Sequence, residues 1–236
     1  MLFWEPVETA RGALEGRESN AFLDLNRLPV ISAPRVNSTG GYSAYLKIAE
    51  GCNKGCTYCA IPGMRGPYRS YPMENLLEQA GQLAAQGVKE LILVAQETTL
   101  YGVDLYQKKS LPALLKALCR IQGIAWIRIL YCYPEEITEE LLDVMAQEEK
   151  ICHYLDIPIQ HASDAVLQRM ARRTSRAQLE EMIRKIRKKI PDIALRTTLI
   201  VGFPGEREED VNILADFIRS MKLERLGVFT YSEEEG

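Results

Sequence analysis

Cys52, Cys56 and Cys59 fall within one short segment in the spacing CxxxCxxC. A single loop with that spacing can wrap three thiolates around one metal centre. A structural zinc site ordinarily takes a fourth Cys or His at short spacing. None follows Cys59 nearby, since the two histidines are His153 and His161. Three thiolates on a 4Fe–4S cluster, by contrast, leave one iron open to an exogenous ligand. S-adenosylmethionine (SAM) can chelate that iron through its amino and carboxylate groups. An electron from the cluster then cleaves the sulfonium and produces a 5′-deoxyadenosyl radical. The cofactor carries this chemistry, and the protein supplies position and exclusion of water. The other three cysteines, Cys119, Cys132 and Cys152, stand singly among apolar neighbours and read as small buried hydrophobes.

The elements that must position these thiols are legible as apolar β-type runs alternating with amphipathic helical stretches. The expected strands are Tyr42–Ala49, Glu90–Ala95, Trp126–Tyr131, Tyr154–Pro158, Ala194–Val201 and Arg225–Phe229. Between them, apolar residues recur at helical spacing. Met73, Leu76, Leu77, Ala80, Leu83 and Ala84 form one stripe, closed by Gly87. Leu179, Met182, Ile183, Ile186 and Ile190 form another, backed by a basic, solvated face. Six strands alternating with five helices imply βα units and a parallel sheet. A span of about 190 residues is short for a closed eight-fold barrel of ~250. The expected fold is therefore α/β, an open partial (βα)6 barrel. Atypical residues gather where the strands end: the cysteine loop, then Gln96 to Thr99, Tyr133 and Pro134, Gln160 and His161, and Gly202 to Glu206. In a parallel barrel those ends share one face, where active sites form. Six loops are thus expected to converge on one site.

Composition sets the bounds. With 236 residues, 47% of them hydrophobic, the chain can bury a sizeable core, and a net charge of −3 gives no pointer to nucleic acid. No apolar run approaches the ~20 residues of a membrane span, and Met1–Glu15 does not read as a signal peptide. The expected location is the cytoplasm, where thiols stay reduced. Residues 1–41, rich in Pro and Gly, read as a linker or the remnant of a preceding domain; residues 42–236 read as the core domain.

Cys52–Cys59, with Tyr58 before the last cysteine, resembles the hallmark of the radical SAM superfamily. Ala60–Ser70 (AIPGMRGPYRS) and Thr198–Glu206 (TLIVGFPGE) are similar to its methylthiotransferase family. That family has one branch acting on a tRNA adenosine and one acting on an aspartate of small-subunit ribosomal protein twelve. Ala95–Gly102 (AQETTLYG), Leu130–Thr138 (LYCYPEEIT), Asp156–Asp164 (DIPIQHASD) and Gly227–Gly236 (GVFTYSEEEG) look like the ribosomal-protein branch. The resemblance implies methylthiolation of the aspartate β-carbon, with tRNA as the alternative substrate. It also implies an electron donor such as flavodoxin, and a second 4Fe–4S cluster in the full-length protein. The N-terminal cluster domain and C-terminal TRAM domain of the family have no counterpart here. The chain therefore reads as a central radical SAM domain, incomplete for the full reaction.

The resemblance places Gln96 and Glu97 where the superfamily makes polar contacts to the SAM amino group, against plain strand-edge solvation. Gln160 is expected to reach ribose or substrate, or simply to cap its loop. Arg196 lies in an otherwise apolar strand, where an unpaired buried charge is costly; its partner is either the SAM carboxylate or an internal acid. Gly202, Phe203 and Gly205 form a loop whose backbone can approach adenine. Tyr58 is expected to pack against the cofactor. His161 reads as structural, and no residue can be named as a general base.

Overall fold

The computed structural model describes residues 10–17, 24–26, 28 and 41–233. The reading of 1–41 as a linker therefore lies mostly outside the described residues. Six strands form one parallel sheet: β1 (Ser43–Lys47), β4 (Glu90–Val94), β5 (Trp126–Ile129), β6 (Ile151–Asp156), β7 (Ala194–Val201) and β8 (Arg225–Thr230). They lie side by side in that order, with β1 and β8 at the two edges, so the sheet is open. A short antiparallel ribbon, β2 (Ala49–Glu50) with β3 (Arg69–Ser70), brackets the cysteine loop.

The alternation along β7 shows how sequence makes a two-faced strand. Leu195, Thr197 and Leu199 are buried, and Arg196 and Thr198 between them are only half-buried. Leu195 and Leu199 join Leu46, Leu91, Ile127 and Leu155 in one core with the helices. Helix Met73–Ala85 contributes Leu76, Ala80 and Leu83 at helical spacing. It gives way at Gly87, whose φ of +96° suits glycine. Helix Arg176–Lys189 starts with a capping box between Ser175 and Gln178 and buries Leu179, Ile183 and Ile186. Its basic residues are ion-paired as well as solvated: Lys185 and Lys189 both reach Glu139.

Two expected strands need correction. Tyr42–Ala49 breaks at Ile48, because Ala49 and Glu50 leave the sheet to pair with Ser70 and Arg69. The fourth strand begins at Ile151 instead of Tyr154 and ends at Asp156. Its polar start, Cys152 and His153, hides the strand from an apolar-run reading, and the β5–β6 register is irregular there. No helix among the described residues is long and apolar enough to cross a membrane.

Candidate active site

The cysteine loop is held at both ends. Gly51 adopts φ +78°, and a Cβ there would sit 2.1 Å from the Pro67 carbonyl oxygen. Only glycine lets the chain pass this close and turn. The Cys52 N–H then donates to Gly66 O at 3.2 Å. At the far end, Thr57 donates through Oγ1 to Arg169 O at 2.9 Å and through its N–H to Met170 O at 3.3 Å. Midway, Lys54 Nζ pairs with Glu136 at 2.6 Å and Glu135 at 3.5 Å, tying the loop to the turn after β5. Burial alone would lower the Lys54 ammonium, but these two glutamates hold it above its ordinary value.

All six cysteines are free. Cys52, Cys56 and Cys59 line one cavity of about 450 Å³ at the C-terminal ends of the strands. Burial pushes the Cys52 thiol up. Among the described residues no group of His, Cys, Asp or Glu forms a ready single-ion site. A polynuclear cluster spreads its ligands more widely than one ion does, and an all-thiolate donor set suits iron and sulfide.

Tyr58, Gln96 and Gln160 line the same cavity. The side-chain oxygens of Gln96 and Gln160 are buried there with no hydrogen-bond partner. An orphaned buried acceptor is costly unless something fills the space, and both can accept from a ligand ammonium or hydroxyl. Gln160 is held at φ +71° and Tyr131, also on the cavity wall, at φ +57°. Strained non-glycine backbone at a cavity wall is a mark of functional sites. The ends of β1, β4, β5 and β6 and the middle of β7, at Thr198, supply the lining; β8 adds none among the described residues, so fewer loops meet here than the six expected.

Five expected residues, Glu97, Arg196, Gly202, Phe203 and Gly205, stand off the cavity wall. Glu97 lies fully buried and is absent from the cavity wall. Its Oε1 accepts from the Thr99 N–H at 3.0 Å and from the Thr99 hydroxyl, and Oε2 has no partner. Burial raises its carboxyl to about 7. Arg196 meets an internal acid: Nη1 lies 3.0 Å from Asp156 Oδ1, and the side chain is 39% exposed. The premise of an unpaired buried charge therefore does not hold. Gly202 and Gly205 both take positive φ, +74° and +79°. Phe203 between them packs with Val166, Met170 and Tyr58. None of the three lines the cavity. His161 clamps this loop as a structural residue: its Nδ1 accepts from the Ser163 N–H at 2.9 Å, so Nε2 carries the proton toward Glu206 at 3.0 Å. Glu206 in turn accepts from the Phe203 N–H.

Lys47, Lys54, Tyr131, Arg172 and Thr198 also line the cavity and were not singled out by sequence reasoning. Lys54 was open to discovery by its place inside the cysteine loop. Arg172 carried no signal, because Arg169 and Arg173 beside it look the same in sequence.

The radical SAM superfamily model matches residues 46–218 of this chain. The chain belongs to the radical SAM superfamily. Within the superfamily, it is 64% identical over 229 residues to the ribosomal protein uS12 methylthiotransferase RimO of Lachnoclostridium phytofermentans, covering 97% of this chain and 52% of that protein. The protein of the same name from Clostridium acetobutylicum is 55% identical over 202 residues, covering 86% of this chain and 45% of its own length. The chain thus spans about half the length of the curated relatives it matches. Among solved structures, the radical SAM methyltransferase TsrM of Kitasatospora setae superposes with a TM-score of 0.64 at 18% identity, over 80% of this chain and 36% of that one. SuiB of Streptococcus suis bound to SAM gives 0.55 at 16%, over 81% and 39%. At those identities the likeness speaks for the fold alone.

Proposed function

We propose that this chain is the radical SAM core of a ribosomal protein uS12 methylthiotransferase. The observation that carries the reading is the three free thiols of one loop on the wall of a single cavity, facing two orphaned amide oxygens. Cys52, Cys56 and Cys59 hold a 4Fe–4S cluster, and Gln96 and Gln160 receive SAM. Tyr58 walls the cavity, and Glu97 backs it. Gly202, Phe203 and Gly205 shape the neighbouring loop on which adenine would rest. Bound there and reduced by a donor such as flavodoxin, the cluster would supply the electron for reductive cleavage of SAM and so the radical chemistry needed at an aspartate β-carbon. The protein's own part is to fix the thiols through Gly51 and Lys54 and to keep water from the cavity. The high identity to the RimO proteins supports uS12 over tRNA as substrate. The rest of the longer protein supplies the second cluster, and the reaction takes place in the cytoplasm.

Anaerobic reconstitution tests the core of this reading. The chain should take up about four irons and cleave SAM to methionine and 5′-deoxyadenosine when reduced. Cys56→Ala should lose the iron and Cys119→Ala should keep it. Iron retained by Cys56→Ala would overturn the ligand assignment. Mass spectrometry of uS12 and of tRNA from a strain deleted for the full-length gene then identifies the substrate. A methylthio group missing from tRNA alone would reject uS12.

A further inference from the structure

One aromatic side chain on the cavity wall has surroundings that the cluster assignment does not use. Tyr133 Oη lies 2.6 Å from Cys56 Sγ. Two cations contact its ring: Lys54 Nζ is 4.5 Å from the centroid, and the Arg172 guanidinium carbon is 4.0 Å from it. Arg172 is buried, 7% exposed, and among the described residues no carboxylate lies within salt-bridge distance of it. It donates to Pro158 O at 2.8 Å and points Nη1 at Cys56 Sγ, 4.0 Å away. The Tyr133 backbone is fixed by Thr99 Oγ1, 3.3 Å from its N–H. Lys54, between two cluster cysteines in sequence, is locked over the ring by Glu135 and Glu136.

We propose that Tyr133, with Arg172 and Lys54 against its ring, donates a hydrogen bond to the Cys56 sulfur and so raises the reduction potential of the cluster. The proposal rests on Cys56 being a cluster ligand. A metal-bound thiolate has no proton, so the hydrogen in this contact can come only from the phenol. Cations over the ring draw electron density from it and strengthen the hydroxyl as a donor. A donor aimed at a ligand sulfur, with a buried positive charge close by, stabilises the more negative reduced cluster over the oxidised one. One electron enters from the external donor, and the Tyr133 proton stays on its oxygen throughout. Tyr133 is therefore a positioning and tuning residue.

Tyr133→Phe keeps the ring and both cation contacts and deletes only the donor. The reconstituted chain, without SAM, is titrated with dithionite and mediators while the reduced cluster is read by electron paramagnetic resonance. The expected result is full iron content with a roughly tenfold lower ratio of reduced to oxidised cluster at a set potential, a midpoint about 59 mV more negative. Arg172→Gln should shift the midpoint in the same direction. An unchanged midpoint in Tyr133→Phe with iron retained would overturn the proposal. Loss of iron from Tyr133→Phe would overturn it too, since the hydroxyl would then serve assembly. A wild-type chain that binds no iron would instead sink the cluster assignment itself.

Discussion

Glu97 offers a test that needs no cofactor. Its carboxyl is fully buried, with Oε1 satisfied by Thr99 and Oε2 without a partner. Burial lifts its pKa from 4.5 to about 7. The folded state therefore keeps a proton that the unfolded chain releases. The associated stability is fully present below pH 4.5 and is lost as pH rises through 7. A tenfold change in proton affinity is worth about 1.36 kcal/mol, so the loss across this window is about 3 kcal/mol. Glu97→Gln preserves an acceptor for Thr99 and cannot ionise. The variant should match the wild type near pH 4.5 and exceed its stability by about 3 kcal/mol at pH 8.5. Urea unfolding of the cofactor-free chain, followed by circular dichroism at half-unit steps of pH, measures the difference directly. A wild-type-to-variant difference that stays flat from pH 4.5 to 8.5 would refute the reasoning, because every other titrating group is common to both proteins.

Arg196→Met should lower stability by about 2 kcal/mol, less than the 3–5 of a fully buried pair because Arg196 is partly solvated, and calorimetric melting reads it. The SAM dissociation constant of the cluster-loaded variant should move less than about threefold, short of the factor of ten that each 1.4 kcal/mol brings; a larger loss would return Arg196 to the SAM carboxylate. Gly51→Ala should fold poorly and take up little iron, since its Cβ would meet the Pro67 carbonyl at 2.1 Å in a left-handed conformation that itself costs about 1–2 kcal/mol. Stoichiometric iron with an unchanged melting temperature would contradict that account.

Local chemistry was legible from the chain alone. The spacing of Cys52, Cys56 and Cys59 restricts what they can hold, because a loop of that reach brings three sulfurs together in any fold. The period of two along Ala194–Val201 and the apolar stripe Leu76, Ala80, Leu83 fixed which faces are buried. The parallel βα order followed, and with it the end of the sheet where Gln96 and Gln160 meet the thiols. Partners distant in sequence were beyond that reach. Nothing near Arg196 announces Asp156, forty positions earlier, as its counter-ion, because they meet only through the β6–β7 register. Arg172 looks no different from Arg169 or Arg173 until the chain places it over Tyr133 beside Cys56. Residue type and spacing determined the chemistry available to this protein. Which charge faces which sulfur was decided by tertiary structure, since those distances depend on how non-neighbouring strands and loops pack.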